Sequence, residues 1–132
     1  MFPATTKILI VDDMMTMRKL IRKAVTGMGY TVMDEAEDGQ VGWSRLQADP
    51  KIGLVISDWT LPNCTGLEFL RRVRSDSRFR TLPFILLTAE AEATQVTEAV
   101  QAGVSNYIVK PFTPEGLKSK LEQTYQRIVK AA

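Results

Sequence analysis

Five side chains able to handle a phosphoryl group are spread along this chain: Asp12, Asp13, Asp58, Thr88 and Lys110. A carboxylate can attack phosphorus and carry the group as an aspartyl phosphate, but that brings two anions together, and their charge must be offset. Adjacent aspartates offer hard oxygen ligands of the kind Mg²⁺ takes alongside waters and phosphate oxygens. An ammonium and a hydroxyl are donors that phosphoryl oxygens can accept from. Each residue alone has a plainer reading, since aspartates after a strand often cap helices and lysines are commonly solvated.

Position lifts the five above those readings. Each ends an apolar run: Ile8-Leu9-Ile10-Val11 precedes Asp12 and Asp13, Leu54-Val55-Ile56 leads to Asp58, Phe84-Ile85-Leu86-Leu87 to Thr88, and Ile108-Val109 to Lys110. The runs are short and do not alternate with polar residues, as expected of parallel strands buried on both faces. In an open α/β sheet the ligand crevice forms at the carboxyl ends of the strands. The five side chains are therefore expected to share one pocket, in which the carboxylates and Lys110 titrate as a coupled set.

The segments between the runs have helical period. Met17, Leu20, Ile21, Ala24, Val25 and Met28 place the buried face of a helix over about 15–28, closed by Gly27 and Gly29. That Gly-x-Gly follows a helix and lacks a third glycine, so it is no dinucleotide fingerprint. Thr31 to Ala36 mixes Val32 and Met33 with Asp34 and Glu35, which suits an edge strand, and Gly39 to Gln47 follows as a helix. Leu61-Pro62-Asn63-Cys64-Thr65-Gly66 is a loop, with Pro62 stiffening it beside Asp58, and Leu67, Leu70 and Val73 face inward from a third helix. Val96, Ala99 and Val100 do so from a fourth, ending near Gly103. Thr113-Pro114 starts a fifth, whose buried stripe is Leu117, Leu121, Tyr125 and Ile128. The result is a strand followed by a helix, five times, in a doubly wound α/β sheet with right-handed crossovers.

Composition agrees. The 132 residues are 45% hydrophobic and suit one compact domain over residues 1–132, with no output domain. A net charge of +2 gives no reason to expect nucleic-acid binding, and Arg71, Arg72, Arg74, Arg78 and Arg80 read as a solvated helix face and the turn after it. Cys64 is the single cysteine, which excludes an internal disulfide. The first residues lack the pattern of a signal peptide and no run reaches membrane-spanning length, so a cytoplasmic protein without membrane insertion is expected.

Asp12-Asp13, Asp58, Thr88 and Lys110-Pro111 together resemble the spaced signature of the receiver domains of bacterial two-component response regulators. Glu35-Ala36-Glu37-Asp38-Gly39, Asp58-Trp59, Thr88-Ala89-Glu90-Ala91 and Val109-Lys110-Pro111-Phe112-Thr113 are similar to the chemotaxis type within that family. The resemblance covers nearly the whole chain. It implies the flavodoxin-like strand order 2-1-3-4-5, for which this family is itself a standard example. It also implies Asp58 as phosphoacceptor, Mg²⁺ held by Asp12, Asp13, Asp58 and the Thr60 main-chain carbonyl, and Thr88 and Lys110 on the phosphoryl group. Tyr107 would turn inward with Thr88 and reshape an output face containing Val96, Gln101, Tyr107, Val109 and Lys120. A plain strand aromatic is the other reading of Tyr107. Lys110-Pro111 is expected to be cis, and Thr60 and Glu90 to tune dephosphorylation.

Expected partners are a sensor histidine kinase of CheA-like type, a flagellar switch protein and a phosphatase, acting on a monomer that is no enzyme beyond its own phosphorylation and dephosphorylation. The chain departs from the family at Leu61-Pro62-Asn63-Cys64-Thr65-Gly66, where methionines and an aspartate are usual; Thr65 retains a capping hydroxyl. Thr60 stands where the chemotaxis type has asparagine. A phosphorelay intermediate or phosphate sink would need the same pocket without a motor interface. An aspartate-nucleophile phosphatase needs a second aspartate two positions past the first, where this chain has Thr60. A flavin-binding module would need a Ser/Thr-rich phosphate loop after the first strand, which is absent.

Overall fold

The computed structural model describes residues 1–89 and 93–131. Strands and helices alternate: β1 (Ile8–Val11), α1 (Met15–Gly27), β2 (Met33–Ala36), α2 (Gly39–Ala48), β3 (Leu54–Asp58), α3 (Gly66–Ser75), β4 (Phe84–Thr88), α4 (Ala93–Gln101), β5 (Asn106–Val109) and α5 (Pro114–Ala131). The five strands form one parallel sheet in the order β2-β1-β3-β4-β5. No helix among the described residues is long and apolar enough to cross a membrane.

Unbroken apolar runs arise because each strand feeds two cores. Ile8, Ile10, Leu54, Ile56, Ile85, Leu87 and Ile108 pack against Ile21, Ala24 and Val25 of α1 and Leu117 and Leu121 of α5. Leu9, Val11, Val55, Phe84 and Leu86 point the other way, onto α2, α3 and α4 through Leu46, Phe69, Leu70, Val73 and Ala99. The period-2 alternation of strand side chains thus divides each run between two faces.

Turn chemistry sets the helix boundaries. Asp38 Oδ1 accepts the Val41 N–H at 2.8 Å and caps α2. Thr65 and Glu68 form a reciprocal capping box on α3. Thr113 Oγ1 accepts the Gly116 N–H at the start of α5. Gly29 and Gly103 have φ of 102° and 90°, the left-handed conformation that follows α1 and α4.

Three helix-face expectations are corrected. Leu20 is 55% exposed, Val100 62% and Ile128 37%. Leu20 lies one residue, or about 100° of rotation, from buried Ile21, and Val100 stands in the same relation to Ala99, so both fall on helix flanks. Thr124 of α5 is buried instead of Ile128, bonding the Lys120 carbonyl and the Asn106 amide. β2 also begins at Met33 rather than Thr31.

The basic stretch is corrected at one position. Arg74 is half-buried: its guanidinium donates to the carbonyls of Gly103 and Phe79 and to Ser105 Oγ, and burial lowers its pKa. It ties the C-terminal end of α3 to the turn between α4 and β5.

Candidate functional site

Strand register brings the site together. Val11 of β1 lies opposite Ser57 of β3, so Asp12 and Asp58, the next residues, leave neighbouring strands at one level. Asp58 pairs with Leu87, which places Thr88 one step beyond it, and Thr88 pairs with Val109. The Lys110 N–H then bonds the Thr88 carbonyl at 2.7 Å. All five side chains nominated from sequence stand at this carboxyl edge.

Asp12, Asp13 and Asp58 each offer a carboxylate oxygen within 4.8 Å of the others, an arrangement that could hold a metal ion. Lys110 Nζ lies 3.0 Å from Asp58 Oδ1 and 3.8 Å from Asp12 Oδ2. Asp12 Oδ1 accepts the Met14 N–H at 2.9 Å. Asp12 Oδ2 is buried without a hydrogen-bond partner among the described residues. Such an orphan is costly, and a buried anionic oxygen facing two further carboxylates is a fit for a divalent cation with a preference for oxygen. Burial pushes the Asp12 carboxyl above the ordinary aspartate value of 3.8; the Met14 N–H opposes that shift, the charge of Asp58 adds to it, Lys110 opposes it and Asp13 adds to it.

The loops beneath the cluster are tightly specified. A Cβ on Gly66 would lie 2.1 Å from the Asp58 carbonyl oxygen, so the start of α3 rests directly against the backbone of Asp58. The Gly66 N–H also bonds the Trp59 carbonyl at 2.8 Å, closing the loop after β3. Asn63, at φ 65°, donates its side-chain amide to Asp38 Oδ2 at 3.0 Å and links this loop to the cap of α2. Cys64 is buried beside Gly39, and burial raises its thiol pKa.

Thr88 is buried, and its hydroxyl donates to Gln95 Oε1 of α4 at 3.3 Å. Tyr107 is half-buried against the α2–α4 core, with Lys120 Nζ 5.2 Å from its ring centroid. Val109 and Gln101 are exposed, and Val96 is half-buried. Thr60 is exposed on the loop after β3. Glu90 lies outside the described residues. The Lys110-Pro111 bond is cis.

Sequence reasoning passed over three residues beside this site. Gln95 meets Thr88, Asn63 meets Asp38, and Arg18 donates to the Asp12 carbonyl at 2.6 Å. For Asn63 a signal existed, since asparagine is the non-glycine residue that best tolerates positive φ in a turn. For Gln95 and Arg18, ordinary members of helices, the sequence offered none.

A doubly wound parallel sheet carrying an acidic cluster, a hydroxyl and a lysine at its carboxyl edge defines a receiver. Residues 8–122 match the response regulator receiver domain, and the chain belongs to that family. Among its relatives, the chemotaxis protein CheY1 of Helicobacter pylori is 47% identical over 116 residues, covering 88% of this chain and 94% of that protein. The chemotaxis protein CheY of Pseudomonas aeruginosa is 43% identical over 122 residues, covering 92% and 98%. Of solved structures, chemotaxis protein CheY4 of Vibrio cholerae superposes with a TM-score of 0.85 at 31% identity, covering 91% of this chain and 98% of that one.

Proposed function

We propose that this chain is a CheY-like chemotaxis response regulator that accepts a phosphoryl group on Asp58 from the phosphohistidine of a sensor kinase and thereby changes its affinity for a flagellar switch protein. The carrying observation is the placement of Asp58, with Lys110 at 3.0 Å on one side and, in the same cluster, a buried Asp12 oxygen that takes no hydrogen bond among the described residues. A carboxylate flanked by a fixed cation and by a cation-ready acidic pair can receive an anionic group that it would otherwise repel.

In the transfer step an Asp58 oxygen forms a bond to phosphorus while the bond from phosphorus to the donor imidazole nitrogen breaks, its electron pair returning to the ring. Lys110 holds charge on the phosphoryl oxygens. Asp12, Asp13, Asp58 and the Thr60 main-chain carbonyl would hold Mg²⁺, which supplies charge neutralisation at the transferring group. Thr88 exchanges its contact with Gln95 for the new phosphoryl oxygen, which gives α4 and Tyr107 a contact that differs between the two states, as any population shift requires. The output face is Val96, Gln101, Tyr107, Val109 and Lys120. Thr60 and Glu90 tune dephosphorylation, with a separate phosphatase as a further partner. The protein acts in the cytoplasm as a monomeric single domain, and its kinase is CheA-like.

Intact-mass spectrometry after incubation with Mg²⁺ and a small phosphodonor tests the reading. One phosphoryl group is expected on the wild type and none on Asp58→Asn or on a chelator-treated sample. Modification that survives both controls would place the acceptor elsewhere. Binding of a flagellar switch peptide after phosphorylation separates motor output from a phosphorelay or sink, for which no such binding is expected.

A further inference from the structure

We infer that Arg18 is a positioning residue for the cation site, acting through the main chain of Asp12; this rests on the Mg²⁺ reading of the acidic cluster. The connection from β1 to α1 is only Asp12, Asp13 and Met14. Within it Asp12 is held at three atoms. Its N–H bonds the Ala36 carbonyl of β2 at 3.1 Å, its Oδ1 accepts from the Met14 N–H at 2.9 Å, and its carbonyl oxygen accepts from Arg18 Nη1 at 2.6 Å. Oδ2 is left over, buried and with no hydrogen bond among the described residues, its nearest cation being Lys110 Nζ at 3.8 Å. The hydrogen bonds thus leave one oxygen of this residue for a cation.

Arg18 is itself fixed. Its side chain is 15% exposed, and Nε donates to Glu35 Oε1 of β2 at 3.0 Å, while Arg22 donates to the other carboxylate oxygen from Nε at 3.1 Å and Nη2 at 2.8 Å. Glu35 pairs in register with Ile10, two residues before Asp12. The planar guanidinium therefore bridges α1, the end of β1 and the edge strand, a geometry that a lysine ammonium cannot reproduce. The arrangement also accounts for an acidic residue in the edge strand.

Charge and position predict opposite results. Arg18→Met removes a positive charge near a cation site, and Coulomb's law alone would then tighten Mg²⁺ binding. If Arg18 acts by holding Asp12, the same variant should bind Mg²⁺ about tenfold more weakly, the scale on which loss of an outer contact to a metal ligand acts. Arg18→Lys keeps the charge and should also weaken binding, by a smaller factor. Calorimetric Mg²⁺ titrations of wild type, Arg18→Met and Arg18→Lys decide the matter, with thermal unfolding in chelator to show that each variant is folded. If Arg18→Met does not fold, Arg18→Lys carries the test. Affinity unchanged or tighter in the folded variants overturns the positioning role while leaving the Mg²⁺ reading intact. A wild type that binds no Mg²⁺ overturns both.

Discussion

Three carboxylates whose oxygens come within 4.8 Å of one another repel, and Lys110 offsets only part of that charge. Asp12 bears the clearest consequence, because burial and two like charges raise its pKa. The sign follows directly. As pH rises past the ordinary value of 3.8, the unfolded chain releases this proton before the folded one does, so ionised Asp12 costs stability at neutral pH. Asp12→Asn keeps an Oδ1 acceptor for the Met14 N–H while removing the charge. In chelator it should raise unfolding stability by roughly 0.5–2 kcal/mol, the scale of a single stabilising substitution. Urea denaturation measures this, and a less stable variant would mean that attraction to Lys110 outweighs repulsion and burial.

Helix α2 and the β3–α3 loop are joined through Asp38, whose two oxygens serve Val41 N–H and the Asn63 amide. The Val41 N–H, then Asn63, hold its carboxyl below the ordinary aspartate value, against a smaller opposing effect of burial. Here the linkage has the other sign. The stabilisation is complete above 3.8 and is lost as pH falls from there through the lower folded value. Replacing Asp38 with alanine should cost about 1–2 kcal/mol at neutral pH, the range for a lost helix cap, and the difference from wild type should shrink on acidification through that window. A difference that stays constant down to full protonation would assign the effect to packing around Asn63 and Cys64 instead. Elements of this kind were legible in the sequence to different degrees. The Thr65 hydroxyl and Thr113 with Pro114 announced α3 and α5 locally, because caps act within one turn, while the reciprocal bond from Glu68 came only with the structure. The Arg74 bridge gave no such sign, since its acceptors lie on the turn after Asp76 and on the α4–β5 turn, and nothing in an arginine-rich helix distinguishes the one whose guanidinium is tied down between elements.

At the scale of the whole molecule, the proposed cation site would couple binding to folding. The cluster forms only when β1 and β3 pair in register, so Mg²⁺ that binds the folded state alone must raise its stability. At a hundred times its dissociation constant the gain should be about 2.7 kcal/mol, read as an upward shift of the thermal transition. The shift should vanish in Asp12→Asn and on adding chelator. Unfolding that is indifferent to Mg²⁺ in the wild type would remove the cluster from consideration as a cation site.

By itself the sequence determined the sheet, its edge strand and the five polar groups at the carboxyl edge, because burial on both faces writes a continuous apolar run and a strand end writes the polar residue that stops it. It also carried the family signature, spread over most of the chain. Tertiary structure alone decided which flank residues stay in water, as with Leu20 and Val100, and which polar side chains cross between elements. Arg18 reaches Glu35 over 17 residues of chain and Asn63 reaches Asp38 over 25. Such contacts depend on how the crossovers pack the helices against the sheet, and no local propensity or period encodes them. The orphaned oxygen of Asp12 belongs to the same class. Its residue type was plain from the sequence, but its burial beside Lys110 without a hydrogen bond among the described residues is a product of packing that only the folded chain has.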